Sequence, residues 1–367
     1  MDRREEIHTL CRLLSPAGFK EEKELVSKIK EERIEWVGLV ETANLNLLTP
    51  ALYTSLRDNG VLEYIHDPQL TGFLHEVYSR NRERNEGILR QIKDMETILG
   101  QHAIPQLLLK GGAALSESLY PDIGMRLMND LDIMIAPAHF DEALKLLRQS
   151  GYEEFGRDLG RWHHHTPRMS KEGFPAALEP HFRVVFDRNI EYIPFSDTTS
   201  IKSVRADLEA TYVLKPTWHL YHIFLHTAVI DQNHRKWKLG LRYLYDFVMV
   251  AKAYEDDIDW QEMYALARKH EHEKILEDFL YLADTLFGLK TPLRYNRPRG
   301  WLHLKKALWE STLVPETRVH KLYRAYTQFS DIYSYDALKR FYGLQSRSQY
   351  PAAFVRYIFY HIRKHLF

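Results

Sequence analysis

KGGAALSESLYPDIGMRLMNDLDIMI, residues 110–135, decides the reading of this chain. It starts where the apolar run IPQLLLKGG ends on Gly111 and Gly112, a pattern that predicts a buried strand feeding a tight turn. Glycines let a backbone approach a ligand closely, and the amides of such a turn and of the helix predicted over AALSESLY suit phosphate oxygens. A Gly-Gly pair after a strand also serves as an ordinary turn. At the other end, Asp130 and Asp132 open the apolar strand LDIMIA. Alternate residues of a strand share a face, so both carboxylates project together while Leu131 and Ile133 enter the core. Two like charges side by side are costly without a cation between them, and hard oxygen donors suit Mg²⁺ or Mn²⁺.

Outward from this stretch, FDEALKLLRQSGY predicts an amphipathic helix closed by Gly151. Two strand-like stretches follow, RWHHHTPRM and AALEPHFRVVF, and Lys171-Glu172-Gly173 between them signals a hairpin. Glu179 lies in the second. Strand order allows it to stand beside the aspartates, where a third carboxylate would complete a site for two divalent ions. Residues 104 to about 195 thus read as a small sheet domain. Before it, KEEKELVSKIKEERIEWVGLV and LHEVYSRNRERNEGILRQIKDMETILG show helical spacing and predict a bundle that packs on the rest. After Pro216, WHLYHIFLHTAVI, GLRYLYDFVMVAKAY, WQEMYALARKH and KILEDFLYLADTLFGL predict successive helices. The expected fold class is α+β. Its parts are an N-terminal helical region over 1–100, a core over 101–200, a C-terminal helical domain over 201–290 closing one side of a cleft, and a helical tail over 291–367 with no assigned role.

Bulk properties narrow the function classes. The 50 basic and 50 acidic residues cancel, so the overall charge gives no electrostatic argument for a nucleic-acid partner. The single cysteine, Cys11, excludes an intramolecular disulfide and a cysteine-based metal cluster. The N-terminal MDRREEIHTLCRLL lacks an apolar signal core, and no stretch approaches the roughly 18 apolar residues of a membrane span. The cytoplasm is the expected compartment.

The glycine turn, the D-hydrophobic-D strand and a later strand acid together resemble the DNA polymerase beta-like nucleotidyltransferase superfamily. More narrowly, the chain resembles the bacterial family called "uncharacterised nucleotidyltransferase". The match rests on LLLKGGAAL, NDLDIMI and Glu179-Pro180-His181, with further likeness in LLTPALYTSLRDNG and in LRYLYDFVMV and IDWQEMYALARKH. It runs from about residue 40 to 290. Two departures stand out. The connection over 113–129 is longer than the superfamily's, and Gly112 occupies the turn position where a serine is usual, leaving backbone amides or Ser116 to meet phosphate. The resemblance implies a nucleotidyltransferase-fold core and transfer of a nucleoside monophosphate from an NTP, with ATP among the candidate donors, to a hydroxyl of a small molecule, sugar or protein, releasing pyrophosphate. It further implies two Mg²⁺ (or Mn²⁺) ions, with Asp130 and Asp132 on both and Glu179 on the ion that activates the acceptor. Glu179 is also a candidate general base. Two alternatives stay open: a nucleotide-binding regulatory or scaffolding protein without turnover, and a related metal-dependent phosphate-group transferase or hydrolase.

Other polar residues are secondary candidates. Lys110 and Arg126 flank the glycine turn and the aspartate strand, and either suits triphosphate oxygens. Each is also readable as a surface cation or the partner of an acid. In the histidine run, alternation puts His163 and His165 on one face and His164 on the other, expected near the acceptor together with His181, which follows Glu179 by two and is readable as orienting an acceptor or a carboxylate, or as an ordinary satisfied core histidine. Three histidines in sequence on a strand cannot converge on one metal. His222 and His226, one helical turn apart, lack the intervening glutamate of a zinc protease. Position in the family makes Lys238 and Arg242 candidates for the nucleotide phosphates, while Arg242 and Asp246 also have the spacing of an ordinary helix ion pair.

Overall fold

The computed structural model describes residues 1–156, 166–184, 192–193, 201–204 and 208–366. The chain divides into two compact units, Met1–Val185 with Ile193–Ser311, and Phe186–Tyr192 with Thr312–Phe367.

The first unit opens with α1 (Arg3–Leu13), α2 (Lys23–Lys30), α3 (Trp36–Leu45) and α4 (Thr49–Asp58), followed by the 33-residue α5 (Pro68–Gly100). Local chemistry fixes the starts. Asp2 caps α1 and exchanges bonds with Glu5, and Asp67 caps α5 with Pro68 in the first helical position. Leu74, Ile88, Ile92, Met95 and Leu99 form the buried stripe of α5.

A seven-stranded mixed sheet lies at the centre: β1 (Gln106–Leu108), β2 (Asp130–Ile135), β3 (Glu153–Phe155), β4 (Arg168–Ser170), β5 (Ala177–His181), β6 (Ile201–Ser203) and β7 (Thr211–Leu214), in the order β3-β4-β5-β2-β1-β7-β6. The β2–β5 and β1–β7 pairs are parallel and the others antiparallel. The expected hairpin is present as β4 and β5, with Gly173 in the left-handed region at φ 84°. The sheet is wider than the sequence pattern predicts. β6 and β7 follow residue 200, inside the span read as purely helical, and with three and four residues they are too short to show a period.

Two helices connect these strands, α6 (Lys110–Ser116) and α7 (Phe140–Gln149). Leu131, Ile133, Ile135 and Leu178 share one sheet face and join a single apolar core with Ile88, Ile92 and Met95 of α5 and Ala143, Leu144 and Leu147 of α7. Burying these side chains on one face is the main stabilisation of the sheet, at about 25 cal/mol per Å² of apolar area. It also dictates that the alternate residues, Asp130, Asp132 and Glu179, face the other way.

The helix α5 does more than cover the sheet. Its Asn81 amide donates to the carbonyls of Gly124 (2.8 Å) and Arg126 (3.1 Å), and its Asn85 amide to those of Ile123 (2.7 Å) and Arg126 (2.9 Å). Tyr78 and Arg57 hold Asp122 in the same connection. Side chains of α4 and α5 therefore stitch down the long segment between α6 and Asp130.

The unit closes with α8 (Pro216–Phe224), a π-helical turn (Leu225–Ile230), α9 (Leu241–Ala253), α10 (Trp260–Lys269), α11 (Glu273–Phe287) and α12 (Arg297–Glu310). The second unit holds α13 (Arg318–Tyr333), α14 (Tyr335–Tyr342) and α15 (Tyr350–Leu366), with Leu338, Leu344 and Ala353 as its buried core. Among the described residues, no helix is long and apolar enough to cross a membrane.

Candidate active site

The parallel pair β2–β5 sets Asp132 directly beside Glu179, with Asp130 beside Ala177 and Met134 beside His181. The alternation of each strand then puts Asp130, Asp132, Glu179 and His181 on one face. Asp132 is 2% exposed and Glu179 6%, and Asp130 sits at the more open end of the strand. Ligand-capable atoms of Asp132, Glu179 and His181 all lie within 4.8 Å of one another.

Each carboxylate already has a cation. Lys110 Nζ donates to Asp132 Oδ1 (2.8 Å), and His181 Nε2 lies 2.9 Å from the same oxygen and 3.3 Å from Glu179 Oε2. Arg168 reaches Glu179 Oε1 through Nε (3.1 Å) and Asp130 Oδ2 through Nη2 (3.2 Å). Burial pushes the Asp132 carboxyl up, but Lys110 and His181 outweigh it and hold Asp132 well below the usual carboxylate range. Asp130 is raised, first by burial and then by the adjacent Asp132 charge. Burial would push Lys110 and His181 down, yet contact with Asp132 raises both, and Glu179 adds to the rise at His181. The pattern is one ionised, fully buried carboxylate ringed by positive charge, with a second, more basic carboxylate above it.

Arg168 is absent from the sequence reading. Its signal was the hairpin itself. With Met169 opposite Leu178, Arg168 and Glu179 stand opposite one another across the antiparallel pair, so the cross-strand partner of the acid was countable from the turn.

The two glycines lie within the first turn of α6 and not in a turn before it, and there they serve close packing within the protein. A Cβ on Gly111 would overlap the Nη1 of Arg126, and one on Gly112 would lie 2.6 Å from Leu131 Cδ1. Arg126 is 7% exposed and bonds Asp246 through Nε (3.0 Å) and Nη2 (2.7 Å). Tyr120 donates to the same carboxylate. Asp246 thus pairs with Arg126, 120 residues away, rather than with Arg242 one turn before it. Arg242 instead lies over the ring of Tyr243 at 4.8 Å. Lys110, the first residue of α6, has φ 46°, a strained conformation for a side chain that reaches the carboxylate centre. Ser116 is buried at the end of α6.

A cavity of about 10 Å³, room for about one water, adjoins Lys110 and is lined also by Arg126, His219, His222, His226 and Tyr243. Both ring nitrogens of His222 are buried without a hydrogen-bond partner, and burial holds its imidazole well below the usual range. Lys238 lines a different cavity, beside His234 and His303. His163 and His165 lie outside the described residues.

The model of a family described as "Uncharacterised nucleotidyltransferase" matches residues 32–288, a span that holds β1 to β7 and every element of the carboxylate centre. No curated protein and no solved structure matches the chain.

Proposed function

The chain belongs to that nucleotidyltransferase family, and we propose that it moves the nucleoside monophosphate of an NTP to a hydroxyl of a small molecule, a sugar or a protein, with release of pyrophosphate. The acceptor oxygen bonds to the α-phosphorus, the bond from that phosphorus to the bridging oxygen breaks, and the hydroxyl proton passes to a base. The observation that carries this reading is the in-register pairing of Asp132 with Glu179, with Asp130 on the same face.

The residues fit two Mg²⁺ or Mn²⁺ ions. Three carboxylates supply hard oxygen donors on one face, and they hold the positive charges of Lys110 and Arg168, which divalent ions would replace, beside His181. Bound ions would neutralise the triphosphate and lower the pKa of the acceptor hydroxyl. Asp130, Asp132 and Glu179 would hold them. Glu179 is the residue for the proton: one oxygen is fixed by Arg168 and the other faces His181, so its orientation is set before substrate arrives. Lys110 and Arg168, released from the carboxylates, become free cations at the edge of the site for phosphate oxygens. His181 reaches both buried acids and keeps their orientation.

The test is thermal stability with each of the four NTPs, with and without Mg²⁺ or Mn²⁺, followed by transfer from the α-labelled form of whichever NTP stabilises. A ligand that binds only the folded form raises the midpoint. A metal-dependent rise with one NTP, lost in Asp132→Asn, supports the reading. Full NTP response in Asp132→Asn removes this centre from consideration. Metal-dependent release of products other than pyrophosphate moves the assignment to hydrolysis or another phosphate-group transfer.

A further inference from the structure

Away from the carboxylate centre, three separate elements bring imidazoles and a carboxylate together. His234 comes from the segment after the π-helical turn, Asp278 from α11 and His303 from α12. Each offers one ligand atom, and these atoms lie within 4.8 Å of one another. We propose that His234, Asp278 and His303 form a second metal site, selective for a zinc-class transition ion and independent of the site at Asp132.

The donor set carries the choice of ion. Two imidazoles and one carboxylate suit Zn²⁺, Co²⁺ or Ni²⁺, whereas Mg²⁺ prefers all-oxygen surroundings such as the β2–β5 face. Three protein ligands leave a position for water. A cavity of about 10 Å³ lined by Asn233, His234, Lys238 and His303 has room for about one such group. The Lys238 ammonium opposes an ion there and must turn its flexible stem outward.

The carboxylate is aimed. Arg299 Nε holds Asp278 Oδ1 at 2.7 Å, which turns Oδ2 toward His234 Nε2, 3.0 Å away. An outer partner that fixes a ligand in this way is a regular part of metal sites. The His234 and His303 rings stack 4.2 Å apart at 11°, so the two imidazoles are close together but one of them must turn for both in-plane lone pairs to meet a single ion. Charge leaves room for a cation: Arg299 is shared between Asp278 and Glu277 (2.7 Å), two carboxylates to one guanidinium. The segment that presents His234 is strained on both sides, with Gln232 at φ 62° and Trp237 at φ 53°, a cost that persists only where surrounding structure holds it. A bound ion would tie this segment to α11 and α12 and stiffen the approach to α9, whose Asp246 holds Arg126.

The competing account is a His234–Asp278 hydrogen bond that needs no ion. Full-length protein, stripped with chelator, distinguishes them when titrated with Zn²⁺ by calorimetry and with Co²⁺ by visible absorption, in wild type, Asp132→Asn, His234→Gln and His303→Gln. The expected result is Zn²⁺ binding and a tetrahedral Co²⁺ spectrum kept in Asp132→Asn, with affinity at least tenfold weaker in folded His234→Gln, whose ring is partly exposed, and in His303→Gln. Loss of all Zn²⁺ binding in Asp132→Asn would overturn the proposal. So would wild-type titrations in both histidine variants. Should either histidine variant fail to fold, the melting temperature of Asp132→Asn decides instead: a Zn²⁺-dependent rise supports the site, and no rise refutes it.

Discussion

Gly111 lies under the guanidinium of Arg126, and Gly111→Ala tests whether glycine serves that packing. The new Cβ would overlap Nη1, lie 2.9 Å from Cζ and meet Met128 Cε at 3.1 Å. The guanidinium has no easy retreat, because Nε and Nη2 are both bonded to Asp246 and the two side chains are 6% and 9% exposed. If the arginine is pushed off, Asp246 stays buried without its charge partner, a loss of about 3–5 kcal/mol. Alanine returns roughly 1 kcal/mol of helix propensity in α6. The net cost is about 2–4 kcal/mol. At the lower end of the usual sensitivity for larger domains, that lowers the melting temperature by roughly 4–8 °C. Scanning calorimetry of Gly111→Ala, Arg126→Met and the double variant gives the coupling directly. In the Arg126→Met background the glycine substitution should cost less than about 1 kcal/mol, since the clashing group is gone. A melting temperature for Gly111→Ala within a degree of wild type, or the same loss with and without Arg126, would refute the packing account.

Three further outcomes are expected. Asn85→Leu leaves the Ile123 carbonyl without its Asn85 donor and the Arg126 carbonyl with Asn81 alone, so it should cost about 1–3 kcal/mol and expose residues 117–129 to limited protease; unchanged cleavage kinetics would count against the stitching role of α5. Arg168→Ala removes a half-exposed cation that competes for Glu179 and Asp130, so the metal dissociation constant of nucleotide-free protein should fall about threefold to tenfold, and an equal or weaker affinity by calorimetry argues otherwise. His219 is buried and pushed down to about 4, chiefly by burial, from an unfolded value near 6.5. Its folded form resists protonation, so stability is full above about pH 6.5 and declines as pH falls toward 4, by up to about 3 kcal/mol. Melting temperatures across that window should flatten in His219→Gln, and an unchanged slope would exclude His219 as the cause.

The carboxylate face was legible because period-two patterning is unambiguous in LDIMIA: Leu131, Ile133 and Ile135 had to be buried together, so Asp130 and Asp132 had to face away. Glu179 followed from the hairpin and the acid-x-His spacing, and the structure sets it beside Asp132. What the chain hid was long-range partnership. Nothing near Arg126 announces Asp246, whereas the acid-x-His spacing already puts His181 on the face of Glu179, and the structure seats it against Asp132 as well. The amides of Asn81 and Asn85 read as ordinary polar positions of a helix, although they face inward onto the 117–129 connection. Thr211–Leu214 is made of strand-favouring residues, but four are too few to show a period, and pairing with β1 on one side and β6 on the other fixes them as a strand.

The register that puts Glu179 beside Asp132 also governs when the centre comes into being. Asp132 and His181 are 49 residues apart, and they meet only after α7, β3 and β4 have been laid down between their strands. At ribosomal rates of about 5–20 residues per second, roughly 2–10 s separate their synthesis. Through that interval the nascent chain carries the two aspartates and Lys110, but neither the third carboxylate nor Arg168 and His181. Loop closure must be completed before the last partners are gained, so binding strength arrives together with the closed sheet and not gradually along the chain. On the proposed two-metal reading, metal capture would report on completed folding, and a substitution that spares every site residue but weakens the β2–β5 pairing would lower the metal-binding fraction in step with the folded one.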